Sequence, residues 1–254
     1  MKISSIILTK NEEDNIVRAV KSVSFCDEII IIDDYSNDKT LSLINKDIVK
    51  VFKRRLEGDF ASQRNFGMSK AAGDWILFID ADEEATEDLA VEIKSQISNY
   101  KSQYSVYYIK RRDYWWGTEL KYGETRKIRQ SGLIRLVKKN EKKWMGKVHE
   151  VFLPIGKAGK LNSYINHYPH PTLSEFLAAI NNYSTLRVKE LMWQGKQTNI
   201  LEIIFLPFGK FMLNYFIYLG FLDGPAGFAY SFFMSFHSLL VRLKLYQKLY
   251  LNNG

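Results

Sequence analysis

Before residue 81 the chain holds four apolar runs short enough to be strands, and three of them stop at polar or acidic clusters. Lys2 to Leu8 leads into Thr9-Lys10-Asn11-Glu12. Glu28 to Ile32 leads into Asp33-Asp34-Tyr35-Ser36, and Trp75 to Ile79 into Asp80-Ala81-Asp82. Ile48 to Phe52 is the remaining run. Isoleucine in succession from Ile29 to Ile32 leaves no polar alternation, as expected for a parallel strand buried on both faces. Ile16, Val17, Val20 and Val23 recur at helical spacing between the first two runs. Ser36 or Asn37 is placed to cap a second helix carrying Leu41, Leu43 and Ile44, and Gly58 to Ala72 reads as a third. Strands alternating with helices predict an α/β fold, whose ligand crevice lies beyond the carboxyl ends of the strands. Thr9 to Glu12, Asp33 to Ser36 and Asp80 to Asp82 are therefore expected to converge.

Asp80 and Asp82 stand one residue apart at the end of a strand-like run, so their side chains share a face and can reach one divalent cation with its ligand. The bland alternative is a solvated loop feeding a helix over Asp88 to Ile97. A chain of 254 residues buries one substantial core, or one core with a small appendage. The single cysteine, Cys26, excludes an intramolecular disulfide framework and reads as an apolar filler. Ile3 to Leu8 is too short for a secretory leader, so the catalytic part is expected in the cytosol.

Residues 101–160 hold 16 Lys and Arg against 5 Asp and Glu, so the rest of a chain of net charge +8 sums to −3. The basic stretch suits phosphates on a nucleotide, an acceptor or anionic lipid, or it is a solvated face. Its aromatics Tyr107, Tyr108, Tyr114, Trp115 and Trp116 raise nucleic acid as a further partner, but no nucleic-acid-binding motif accompanies them. Nucleic acid is not expected.

The motifs ILTKNEEDN (Ile7 to Asn15), IIIIDDYSNDKT (Ile29 to Thr40) and ASQRNFGMSKAAGDWILFIDADEE (Ala61 to Glu84) follow one another in an order that resembles the family 2 glycosyltransferases of the GT-A fold. The resemblance covers about the first 150 residues. It implies a nucleotide-sugar donor with uracil and ribose held by the first two turns. Thr9, Glu12, Asp34 and Arg64 would contact the nucleoside, Asp80 would lie beside ribose or phosphate, and Asp82 would ligate Mg²⁺ or Mn²⁺. Chemistry agrees: a departing nucleoside diphosphate gains negative charge, and a divalent cation lowers that cost with one or two protein carboxylates. Asp33 has the alternative role of closing its turn.

Trp144 to Glu150 supplies the expected base. In the lipopolysaccharide-type branch of the family a similar His-Glu lies on the acceptor side, which implies Glu150 as the catalytic base and His149 as a loop-orienting neighbour. A carboxylate there takes the proton of the attacking hydroxyl, and one base without a covalent intermediate inverts the anomeric centre. The alternative is a surface turn with Glu150 paired to Lys147 or Arg135. His167 and His170 suggest zinc only weakly, because no cysteine or helical histidine pair completes a set. A turn into an amphipathic helix over Leu173 to Trp193 is the expected role.

From Phe211 to Leu222, and over the 18 residues Gly224 to Val241, there is no Lys, Arg, Asp or Glu. Each stretch is short for a spanning helix of about 20 apolar residues. A pair of interfacial helices is expected, with Lys210 before them and Arg242, Lys244 and Lys248 after them meeting anionic head groups. A re-entrant hairpin at Leu222 to Pro225 is a variant, and a buried dimer or intramolecular pair the alternative. Segments similar to this tail occur in lipopolysaccharide core glucosyltransferases.

These readings predict a GT-A domain with its acceptor-side segment over 1–165 and a helical, membrane-associating region over 166–254. The expected activity is inverting transfer of a hexose, glucose from UDP-glucose, onto a lipid-linked saccharide such as inner-core heptose. The expected place is the cytoplasmic face of the inner membrane, peripheral or monotopic. A sugar nucleotidyltransferase is the rival enzyme, opposed by the lack of a Gly-rich phosphate loop after the first strand. A non-catalytic membrane adaptor is the rival of another kind, and it leaves the acidic strand ends unexplained.

Overall fold

A computed structural model of the chain describes residues 1–99, 103–139, 141, 143–146, 150–169 and 172–251. It divides into two compact units, Met1–Arg112 with Ile128–His167 and Asp113–Lys127 with Tyr168–Gly254. The second unit thus takes in residues 113–127 besides the C-terminal helices.

In the first unit, β1 (Ile3–Thr9), α1 (Ile16–Ser22), β2 (Glu28–Asp33), β3 (Val49–Lys53), α2 (Phe60–Lys70) and β4 (Trp75–Asp80) form the α/β half. There follow β5 (Glu83–Ala85), α3 (Glu87–Ser98) and β6 (Tyr104–Trp115), which runs on into the second unit. β7 (Thr118–Leu120) and the start of α4 (Thr125–Ser131) belong to the second unit, and the first resumes with β8 (Leu133–Lys138), β9 (Trp144–Met145), β10 (Val151–Phe152) and β11 (Lys157–His167). The sheet order is β3-β2-β1-β4-β8-β6-β11-β5, parallel across the first four strands and antiparallel from β4 to β8 to β6. The chain moves to one side of β1 for β2 and β3 and to the other for β4, so a switch-point crevice opens at the carboxyl end of β1. Register places Thr9 beside Asp33 and Leu8 beside Asp80.

The isoleucine run is buried on both faces. Ile29 and Ile31 join one core with Ile3, Ile7, Leu77 and Ile79, while Ile30 and Ile32 join the other with Ile6, Ile76 and Phe78. α2 lies so close to β1 that a Cβ at Gly67 would come within 2.7 Å of Ile6 Cγ2. Of the aromatic residues in the basic stretch, Tyr107 and Trp115 are packed inside, 1% and 3% exposed, whereas Trp116 is 52% exposed. The helix expected after Ser36 is a three-residue turn, Thr40–Ser42. Ser36 donates to Asp33 and Thr40 to Asp38, so short polar side chains take up the local hydrogen bonds a helix needs.

In the second unit, α5 (Leu173–Trp193) begins at a Thr172 cap and packs on α7 (Gly224–Tyr246). Between them α6 (Ile200–Met212), capped by Asn199, continues as a π-helical turn over Leu213–Ile217. Trp115, Phe176, Ile180 and Ala226 form one core, with Trp115 edge-on to Phe176 at 5.0 Å, and Val188, Leu191, Val241 and Leu245 form a second. Lys244 does not face outward as expected. Its ammonium donates to Asn181, Ser184 and Thr185 on α5, at 2.7–2.8 Å.

Candidate active site

The turns after β1 and β2 are knitted together by side chains. Asn11 N donates to Ser36 Oγ, Asn37 N to Asn11 Oδ1, and Glu12 N to Thr40 Oγ1. Asn11 and Tyr35 both adopt φ of 54°, a left-handed conformation that costs a tyrosine energy and that clusters at functional turns. Asp33 is fully buried and accepts from Ser36 N, closing its turn. Asp34 accepts from Leu56 N at 3.0 Å and keeps an oxygen 3.6 Å from Lys10 Nζ. Glu12 accepts from Asn15 Nδ2 at 2.8 Å. Thr9 is buried, and its hydroxyl has no hydrogen-bond partner among the described residues.

At the end of β4 the carboxylates meet buried arginines. Arg64, brought from α2 and 4% exposed, donates through Nη2 to Asp80 Oδ1 and through Nε to Glu150 Oε1, each at 3.0 Å. Its Nη1 is buried without a partner among the described residues. Arg135 on β8 donates to Asp80 Oδ2 at 2.8 Å and to Glu83 Oε1 at 2.6 Å, while Glu83 Oε2 accepts from Asp80 N. Asp82 turns away from this network, its Oδ2 lying 3.1 Å from His167 Nε2.

The charges follow from that geometry. Burial pushes the Asp80 carboxyl up, but Arg135 and then Arg64 outweigh it and hold the group well below the usual carboxylate range. For Asp82, burial is likewise outweighed, here by the charge and hydrogen bond of His167, and the pKa is lowered. Glu83 goes the other way: complete burial, joined by the charge of Asp80, outweighs Arg135 and Arg111 and raises it.

Thus Thr9, Glu12 and Asp34 lie on the turns of β1 and β2, and Arg64 joins Asp80 to Glu150. Glu150 pairs with Arg64 at 3.0 Å, and its charge also stabilises the Arg135 cation; Lys147 and His149 lie outside the described residues, as does His170. Sequence reasoning passed over Glu83, Arg135 and His167 as site residues. Arg135 carried a signal, a lone cation inside the apolar strand Leu133-Ile134-Arg135-Leu136-Val137. His167 drew notice only beside His170 in a zinc reading that was set aside, and nothing local links it to Asp82, 85 residues away.

The model of the family described as "Glycosyl transferase family 2" matches residues 4–149. An uncharacterized glycosyltransferase of Rickettsia typhi is 30% identical over 260 residues, spanning 96% of this chain and 86% of the relative. The lipopolysaccharide core biosynthesis glycosyltransferase LpsC of Rhizobium meliloti is 26% identical over 256 residues, spanning 98% of this chain and 93% of the relative. Among solved structures, S. aureus TarS 1-349 in complex with UDP-GlcNAc is similar over 45% of this chain and 35% of that one, with 27% identity and a TM-score of 0.38. The sheet, parallel over β3-β2-β1-β4 and antiparallel beyond, is the GT-A arrangement, and the rival readings as a nucleotidyltransferase or an adaptor fall away. With a family match over more than half its length and a relative that aligns nearly end to end, the chain belongs to glycosyl transferase family 2.

Proposed function

We propose that the protein is a metal-dependent, inverting hexosyltransferase, using UDP-glucose in the first instance and acting on a lipid-anchored glycan such as lipopolysaccharide inner-core heptose. The observation that carries this reading is Arg64, a single buried guanidinium bonded to both Asp80 and Glu150. A shared anchor keeps the carboxylate of the donor side and the base of the acceptor side at a set separation, as single displacement requires.

In this reading Thr9, Glu12 and Asp34 receive the nucleoside, with the unpartnered Thr9 hydroxyl open to a ligand hydrogen bond. The two oxygens of Asp80 are engaged by Arg64 and Arg135, which leaves Asp82 with His167 to hold the cation. The carboxylate oxygen suits Mg²⁺ or Mn²⁺, and an imidazole nitrogen beside it would favour Mn²⁺ over the oxygen-seeking Mg²⁺. Among the described residues no group of three His, Cys, Asp or Glu forms a metal-binding set, and phosphate and water would supply the other ligands. When bound, the cation neutralises charge on the departing diphosphate. Glu150 takes the proton of the acceptor hydroxyl as it attacks C1, and one displacement inverts the centre.

The name of LpsC supports an acceptor in the lipopolysaccharide core, and the basic stretch 101–160 suits a phosphorylated one. Such an acceptor puts the enzyme at the cytoplasmic face of the inner membrane. The test is UDP release with a panel of UDP-sugars and Mg²⁺ or Mn²⁺, with and without a deacylated core acceptor. Release with one donor, abolished by EDTA and nearly abolished by Asp82→Ala and Glu150→Gln, is expected. Full turnover by Glu150→Gln would remove that residue from the role of base.

A further inference from the structure

Ile200–Ile217 is the one described helical segment long and apolar enough to cross a membrane, with a mean hydropathy of 1.6 over 18 residues, yet only 17% of it is buried. Its inner side is fixed by Ile203, Pro207 and Asn214, which are buried, and by Lys210, which pairs with Glu124 at 3.3 Å. The opposite side is apolar from end to end: Leu201, Ile204, Phe205, Phe208, Phe216 and Ile217 are 47–67% exposed. Their spacing draws one stripe along the helix, and Phe221 and Leu222 extend it over the turn that follows.

We infer that this stripe docks the second unit onto one leaflet of a bilayer, with α6 lying in the plane of the membrane and not crossing it. The inference deepens the membrane part of the proposed function and is independent of the roles given to Glu150 and Asp82. Tethering decides between lying and crossing. At the far end of the segment, Tyr218 O accepts from Gly123 N at 2.9 Å, and the Asp223 carboxylate accepts from Lys121 N and Tyr122 N at 2.9–3.1 Å. At the near end, Glu202 meets Arg242 of α7 at 3.7 Å. A crossing helix delivers its far end about 30 Å away, beyond the hydrocarbon. Here it would have to carry along residues 118–127, with Glu119, Lys121, Glu124, Arg126 and Lys127, and charged groups enter hydrocarbon at high cost. An in-plane helix keeps every one of these bonds and sinks only its stripe, about 5–10 Å deep.

The chemistry of the stripe favours lipid over a second copy of the chain. Protein interfaces carry about one hydrogen bond per 100–200 Å², whereas the six stripe residues present carbon alone. Trp193, 88% exposed at the end of α5, and the exposed Lys196 stand just before α6, the pairing of aromatic and cation typical of a membrane interface. The second unit holds 10 Lys and Arg against 7 Asp and Glu, a net +3. With Lys244 turned inward and Lys210 paired, that charge adds a modest anionic preference while apolar contact dominates.

The experiment is flotation of the full chain with phosphatidylethanolamine/phosphatidylglycerol vesicles and with phosphatidylcholine vesicles, at low and at 0.5 M salt, comparing wild type with Phe205→Asp/Phe208→Asp. UDP release from a soluble acceptor and thermal unfolding are measured on the same samples, so that a dead transferase, an unfolded variant and a non-docking one are told apart. Wild type is expected to float with both vesicles, better with the anionic ones, and to lose part of its binding in salt. The double variant, folded, is expected to bind at least tenfold more weakly for each ring replaced. An environment-sensitive dye at Phe208→Cys and at Leu222→Cys is expected to be quenched to similar degrees by shallow spin-labelled lipid. Deep quenching at 208 with protection of 222 on the far side would overturn the in-plane geometry. Failure of folded wild type to float, or a dimer abolished by the same double variant, would overturn docking on lipid.

Discussion

Replacing Arg135 with methionine isolates the electrostatic strut beneath the site. The side chain is 5% exposed and binds Asp80 at 2.8 Å and Glu83, itself fully buried, at 2.6 Å. Methionine keeps much of the volume but leaves two carboxylates without the cation between them. Removing one partner of a buried ion pair costs about 3–5 kcal/mol. For a unit of this size, that is a fall in Tm of roughly 6–20 °C. The pH dependence gives a second check. Asp80, held low by Arg135 and Arg64, adds stability above its unfolded pKa of about 3.9, and that stability is lost as pH falls through the folded value. Glu83, already raised by burial, is raised further in Arg135→Met, so the variant is least impaired below about pH 4 and loses ground as pH rises through the raised value. Urea unfolding at pH 5 and pH 8 of wild type, Arg135→Met and Arg135→Met/Glu83→Gln measures this. The deficit is expected to be larger at pH 8, and Glu83→Gln, which removes the fully buried charge while Asp80 keeps Arg64, is expected to restore part of it. A deficit under 1 kcal/mol, or one that is equal at both pH values and indifferent to Glu83→Gln, would refute the reasoning.

Two further outcomes follow from single contacts. His167→Ala removes the nitrogen beside Asp82, and the Mn²⁺ concentration for half-maximal UDP release is expected to rise roughly tenfold or more, while unchanged metal dependence would exclude His167 from the cation site. Gly67→Ala places a Cβ 2.7 Å from Ile6 Cγ2 and is expected to cost about 1–3 kcal/mol in urea unfolding despite the better helix propensity of alanine; pairing it with Ile6→Val, which removes a neighbouring methyl group, is expected to recover part of the loss.

The parallel core and its acidic strand ends are legible in the chain because both rest on local pattern. An isoleucine run from 29 to 32 can be buried only if covered on both faces, and aspartates that end a strand stand at the crevice by topology. The limits of the helices over 60–70, 87–98 and 173–193 were likewise close to their periodic signals. The helix expected after Ser36 failed for a local reason as well: Asp33 and Asp38 compete for its hydrogen bonds.

Sequence by itself determined which residues meet at the carboxyl ends of β1, β2 and β4, because strand period, polar termination and the order of elements are properties of neighbours in the chain. Tertiary structure decided the rest. Arg64 reaches Glu150 across 86 residues, Arg135 reaches Asp80 across 55, and His167 reaches Asp82 across 85. No local pattern encodes such pairs, since each depends on which strand the sheet sets beside which. The same holds for α6. Its hydropathy says nothing of how its ends are held, whereas the bonds of Asp223 to Lys121 and Tyr122, made across 101–102 residues, tie the turn that follows it to residues 121–122.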